Sequence, residues 1–168
     1  MSTLPAEATL PTILPTTMDL RDMLLDMLGR DVRVTPSAPW APTARGPGAV
    51  AVYVDDQSRL RALISCDLEL SVALGAAIAL IPANTAVGCI ADGVLSADLE
   101  ENLNEVLNIL AAAFNLPDRP HVKLDAMHVP GKLPPVHLAA QLRAFGRRDD
   151  LKLEVAGYGG GRLSLVLI

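Results

Sequence analysis

The sequence predicts an α+β fold, a mostly antiparallel sheet with long helices on one face. Three observations carry that expectation. Apolar residues recur at helical spacing over Thr17–Leu28 and Ser96–Asn115. Val50–Val54 with Leu60–Cys66, and Leu151–Tyr158 with Arg162–Ile168, are apolar stretches joined by turn-forming residues, the pattern of antiparallel hairpins. Strands and helices also fail to alternate along the chain, as a doubly wound parallel sheet would require.

The 168 residues are 51% hydrophobic, enough for one domain, residues 17–168, with a sizeable core. Only 3% are aromatic, so that core must be Leu, Val, Ile and Ala. Residues 1–16 carry Pro5, Pro11 and Pro15 among small residues without periodicity and are expected to form a mobile, Pro-rich tail. Thr17 or Asp19 can cap a helix with the stripe Leu20, Met23, Leu24, Met27 and Leu28, stopped by Gly29. The prolines of 31–49 allow no long element beyond a short strand at Val32–Thr35. Trp40, the only Trp, is expected to cover an edge of the core. Asp55-Asp56-Gln57-Ser58 turns the first hairpin.

Asp67 or Ser71 opens a helix to Ile81 that is apolar on nearly every side and therefore expected to be buried. A short linker, Val87–Gly93, leads to the helix of Ser96–Asn115, with Ser96 as its N-cap. Val122–Val129 reads as a strand, Val136–Phe145 as a short helix in preference to an irregular strand, and Gly159-Gly160-Gly161 as the tight turn of the last hairpin. His121, His128 and His137 lie on different elements and are read as ordinary histidines.

The Ser96–Asn115 helix holds the candidate site. Leu99, Leu103, Val106, Leu107, Leu110 and Phe114 form its apolar face. Opposite them stand Glu101, Asn104, Glu105 and Asn108, and no Lys or Arg occurs between Val94 and Pro117. Exposed faces commonly mix Glu with Lys, because opposite charges one turn apart stabilise a helix by roughly 0.2–0.5 kcal/mol. Here Glu101 and Glu105 place like charges one turn apart, and Asn104 and Asn108 are poor interior helix formers. A solvated helix face accounts for acids and amides; a surface kept for some other purpose, which the charges alone do not identify, accounts also for the forfeited helix stability.

The run Glu105-Val-Leu-Asn108-Ile-Leu-Ala-Ala-Ala resembles the signature helix of the CheC/CheX/FliY family of chemotaxis phosphatases. That signature is Asp or Ser, three residues, Glu, two residues, Asn, then small residues, with a Pro about 22 residues later. Glu105, Asn108 and Ala111–Ala113 match it, and Pro130 lies one residue short of the usual gap. The first position departs, being Glu101. The resemblance spans Met18–Ile168 and implies a CheX-like sheet with its two long helices packed together on one face and a further helix, Thr17–Leu28, across it. It implies that Glu105 and Asn108 are catalytic, that Glu101 and Asn104 border the partner-binding surface, and that the substrate is the aspartyl phosphate of a CheY-like response regulator. The Mg²⁺ would belong to the regulator, so no cofactor is expected in this chain. The signature occurs once, as in members that pair into dimers, and Val122–Val129 or Leu163–Ile168 could offer the pairing edge.

Two other readings stand beside this one. A non-catalytic CheX-like binding or assembly module would suit the departure at Glu101 and the Pro-rich tail. A small-molecule binder would use the apolar helix Val72–Ile81. Composition argues against other classes. The net charge is −5, and no basic patch is long enough for nucleic acid. No CxxC, HExxH or clustered His spacing suggests a metal. No apolar run reaches membrane-spanning length and no signal peptide is evident, so a cytoplasmic protein is expected. Cys66 and Cys89 are read as buried thiols, with a disulfide left open.

Overall fold

Strand β2 (Gly48–Asp55) is buried at every position, and the rest of the molecule follows from covering both its faces. The structure, a computed structural model, describes residues 10–168. The other strands are β1 (Val32–Pro36), β3 (Leu60–Asp67), β4 (Val122–His128), β5 (Arg148–Val155) and β6 (Gly159–Leu167). They form one sheet in the order β1-β5-β6-β3-β2-β4, every neighbouring pair antiparallel. Because side chains alternate across a strand, Ala49, Ala51 and Tyr53 face one layer while Val50, Val52 and Val54 face the other.

The first layer is helical: α1 (Thr17–Leu28), α2 (Leu68–Ile78) and α5 (Ala97–Leu110), with α3 (Ala83–Ala86) and α4 (Gly88–Asp92) linking the last two. Leu20, Leu24 and Leu28 of α1, Leu70, Ala73, Leu74 and Ala77 of α2, and Leu103, Val106, Leu107 and Leu110 of α5 join the sheet in the main core. The two-long-helix layer expected from the sequence is therefore present, as α2 against α5. Gly75 makes their approach possible, since a Cβ there would lie 2.8 Å from the carbonyl oxygen of Leu99. Asn102 Nδ2 then donates to the carbonyl of Gly75 at 2.9 Å.

The second layer was not expected. Helix α6 (Val136–Arg143) lays Leu138 and Leu142 over Val50, Val52, Val54, Leu63 and Val166. The loop around Trp40 is tied beside it. Arg148 donates to both oxygens of Asp150 at 2.8 Å and to the carbonyls of Leu142, Ala144 and Trp40. Asp150 accepts in turn from the Trp40 amide and the Ser164 hydroxyl. Trp40 thus covers the core at Gly48, where a Cβ would lie 2.7 Å from its ring.

Helix ends follow their caps. Thr16, rather than the expected Thr17 or Asp19, is the cap and accepts from the Asp19 amide, and Gly29 closes α1 at φ 66° with its amide on Leu25. Asp67 caps α2, which stops at Ile78 rather than Ile81 because Leu80 takes φ 55°. Asp55 holds the β2–β3 turn: its carboxylate accepts from the amides of Gln57 and Arg59 and from the guanidinium groups of Arg59 and Arg61.

Two expectations about the sheet are corrected. The last hairpin turns at residues 156–158, not at Gly159-Gly160-Gly161, which lie in β6 paired with β5. Side chains at Gly160 and Gly161 would run into the Leu153 carbonyl and the Asp67 carboxylate, so these glycines serve close approach. Residues 163–168 are no free edge, because β6 lies between β5 and β3; the edges are β1 and β4. Cys66 is buried and Cys89 half-buried, and both are free thiols. Of the expected tail, residues 1–9 lie outside the described residues. Residues 10–16 run along the fold with Thr12 and Pro15 buried, and the Pro11 carbonyl accepts from Arg119 at 2.8 Å.

Candidate functional site

Helix α5 begins where the Ser96 hydroxyl accepts from the Leu99 amide, with Asp98 and Glu100 in its first turn. Carboxylates there complement the positive end of the helix dipole. Its apolar stripe is fully engaged: Leu103, Val106, Leu107 and Leu110 are all 0% exposed. Burial of that stripe fixes the rotation of the helix. Glu101, Asn104, Glu105 and Asn108 are consequently all exposed. None of the four forms a side-chain hydrogen bond or ion pair with another described residue. The structure thus brings the four sequence-predicted residues onto one solvent-facing surface.

The C-terminal end of this surface is held from below. After Leu110 the helix tightens into a 3₁₀ turn, Ala111–Phe114. The Ala111 amide goes to the carbonyls of Asn108 and Ile109 rather than that of Leu107, which leaves Leu107 oxygen without its usual partner four residues on. The phenol of Tyr53, 0% exposed in β2, donates to that oxygen at 2.6 Å. Burial pushes the Tyr53 pKa well above its ordinary value, and Cys66 adds to the shift. The Tyr53 ring packs 5.4 Å from Phe114 at a tilt of 56°. Asn115 then binds both the amide and the carbonyl of Val122, fixing where β4 starts. The turn that carries Asn108 is therefore anchored to the centre of the sheet by one buried hydroxyl.

The sequence could not show that tether, because residues 53 and 107 meet only through the fold. Nor did it separate Asn102 from its neighbours: that amide faces α2, not solvent. Among the described residues, no group of three or more His, Cys, Asp or Glu is placed to hold a metal ion, and no helix is long and apolar enough to cross a membrane. His121 lies 3.4 Å from Asp56 on the surface. A cleft of about 430 Å³ does lie against α2, lined by Val72, Ala76, Ile90 and Tyr158.

Chemically, an exposed carboxylate and a carboxamide one turn apart can do two things together. The carboxylate can pair with a cation on a docking protein. The carboxamide can accept a hydrogen bond from water through Oδ1 and donate one to an oxyanion through Nδ2.

No protein-family model and no curated protein matches the sequence. Solved structures share the fold. The FliM middle domain of Vibrio alginolyticus aligns over 89% of this chain and 86% of its own, with TM-score 0.56 and 13% identity. FliM in a FliM–SpeE complex from H. pylori aligns over 89% and 80%, with TM-score 0.53 and 10% identity. A CheX–CheY–BeF3–Mg²⁺ complex from Borrelia burgdorferi aligns over 87% and 90%, with TM-score 0.51 and 12% identity. The chain therefore has the CheX-like fold that the signature resemblance implied, a fold also used by FliM middle domains.

Proposed function

We propose that this protein is a CheX-like phosphatase that hydrolyses the aspartyl phosphate of a CheY-like response regulator. The observation that carries the reading is the joint exposure of Glu105 and Asn108, unpaired, on a helix whose rotation is fixed by a fully buried stripe. The likeness in fold to a CheX crystallised with CheY, BeF3 and Mg²⁺ supports the substrate class.

An aspartyl phosphate is a mixed anhydride and already reactive, so the work left is positioning. Asn108 Oδ1 accepts a hydrogen bond from the attacking water, and Nδ2 donates to a phosphoryl oxygen. The water oxygen forms a bond to phosphorus as the phosphorus–carboxylate oxygen bond breaks. The Asp carboxylate leaves with the bonding pair, and the water proton passes to the released phosphate. Glu105 pairs with a Lys of the regulator and fixes the docking, with Glu101 and Asn104 at the border of the interface. The Mg²⁺ is the regulator's.

The test is phosphate release from acetyl-phosphate-loaded receiver domains in Mg²⁺, with and without this protein. Wild type should accelerate release, and Asn108→Ala should lower that acceleration about 100-fold, the usual cost of one positioned polar group, with an unchanged circular dichroism spectrum. Equal rates for the two would defeat the proposal.

A second reading has its own support. Glu101 stands where the signature has Asp or Ser, and the fold is shared with a FliM found in complex with SpeE. A non-catalytic binding module predicts receiver capture with no change in the lifetime of the phosphoryl group.

A further inference from the structure

The main helical layer has an open furrow between α1 and the end of α5, with a volume of about 600 Å³. Its floor is apolar: Met23 and Met27 of α1, Ile78 of α2 and Ile109. Its rim carries Asp19, Asp22 and Asp26 and no Lys or Arg. Ile109 is 37% exposed, while the other large apolar residues of α5 are at most 2% exposed. Spacings of three and four set the three aspartates on one ridge of α1. Asp22 is paired with Arg21 at 3.2 Å. Asp19 and Asp26 have no side-chain cation among the described residues.

We infer that this furrow is a docking groove for a cationic amphipathic helix supplied by a partner protein. Apolar side chains spaced three and four apart on such a helix would enter the floor, and flanking Lys or Arg would meet Asp19 and Asp26. Methionine suits such a floor, because its unbranched thioether adapts to different side chains. The same aspartates repel nucleic acid, anionic lipid and acidic peptides. Among the described residues a second copy of this chain supplies no suitable helix: α1 and α5 are acidic, α2 is buried, and α6 commits Leu138 and Leu142 to its own sheet. The groove is separate from the acyl-phosphate chemistry, since Asn108 does not line it.

The probe is a fluorescein-labelled 14-residue Leu/Lys peptide patterned as an amphipathic helix, read by anisotropy against the full chain. Two controls are a scrambled peptide of identical composition and a patterned Leu/Glu peptide. The patterned Leu/Lys peptide should bind at least about tenfold tighter than the scrambled one, a difference of about 1.4 kcal/mol, and the Leu/Glu peptide should not bind. Asp19→Asn with Asp26→Asn should weaken binding about fivefold, as two exposed charge pairs would. Ile109→Ser, with every charge retained, should weaken it by a similar factor. Asn108→Ala should leave binding unchanged, so loss of phosphatase activity and loss of helix binding are separable. Equal binding of patterned and scrambled peptides, indifference to Ile109→Ser, or no binding at all would each overturn the inference.

Discussion

Replacing Tyr53 by Phe removes one oxygen and keeps the ring that packs on Phe114. The consequence reaches the candidate site, because that oxygen holds the Leu107 carbonyl at 2.6 Å, one residue before Asn108. Tyr53 is 0% exposed and the Ala111 amide is turned to Asn108, so the Leu107 carbonyl is left buried without a donor. An orphaned buried polar group costs about 1–3 kcal/mol. For a chain of this size each kcal/mol moves Tm by roughly 2–4 °C, so thermal unfolding followed by circular dichroism should show a loss of roughly 2–12 °C. Urea unfolding should show a lower midpoint with an unchanged slope. The pH dependence has a definite sign. The bond is made by the neutral phenol, whose folded pKa lies above the unfolded value of 10.0. The bond's contribution is therefore fully present below pH 10 and lost as pH rises toward the folded value. The stability difference between wild type and Tyr53→Phe should shrink above pH 10. A variant with wild-type Tm, or a difference that grows at high pH, would refute the tether.

Other perturbations follow from the same geometry. Gly75→Ala gains helix propensity, but its Cβ would sit 2.8 Å from the Leu99 carbonyl; the net effect should be a loss of about 1–3 kcal/mol by urea unfolding. Asp150→Ala leaves the guanidinium of Arg148, whose side chain is 10% exposed, without its carboxylate, and should cost about 3 kcal/mol. Burial pushes the Asp55 carboxyl up, but hydrogen bonds from the Arg59 and Gln57 amides and from Arg61 and Arg59 outweigh it and hold the pKa well below 3.8. Asp150 is likewise lowered: its burial is outweighed by Arg148, Ser164 and the Trp40 amide. Both contribute stability that is present above pH 3.8 and lost as pH falls through their depressed values. Asp55→Asn should flatten the acid limb of the stability–pH curve below pH 4, and an unchanged limb would show that the turn does not couple to folding.

Much of this was legible in the residues. The spacing of Leu99, Leu103, Val106, Leu107 and Leu110 determined which side of α5 faces water, because a helix repeats every 3.6 residues and burial selects the apolar stripe. Asp55 as a turn former and Ser96 as a cap were equally local. What escaped was whatever depends on distant partners. The sequence was read as a sheet covered by helices on one face, and only the fold shows that α6 and the Trp40 loop cover the other face of β2. Gly160 and Gly161 looked like a turn, because sequence cannot reveal an Asp67 carboxylate approaching from another element. The groove likewise needs α1 beside the end of α5; in the sequence Met23 and Met27 read simply as core, although they are half-buried.

The central claim is that Glu105 docks and Asn108 positions water, and single-turnover decay of a phosphorylated receiver against increasing concentrations of this protein separates the two. Asn108→Ala should lower the limiting rate and leave the half-saturating concentration in place, whereas Glu105→Gln should raise the half-saturating concentration and largely preserve the limiting rate. A limiting rate for Asn108→Ala equal to that of wild type would contradict the account.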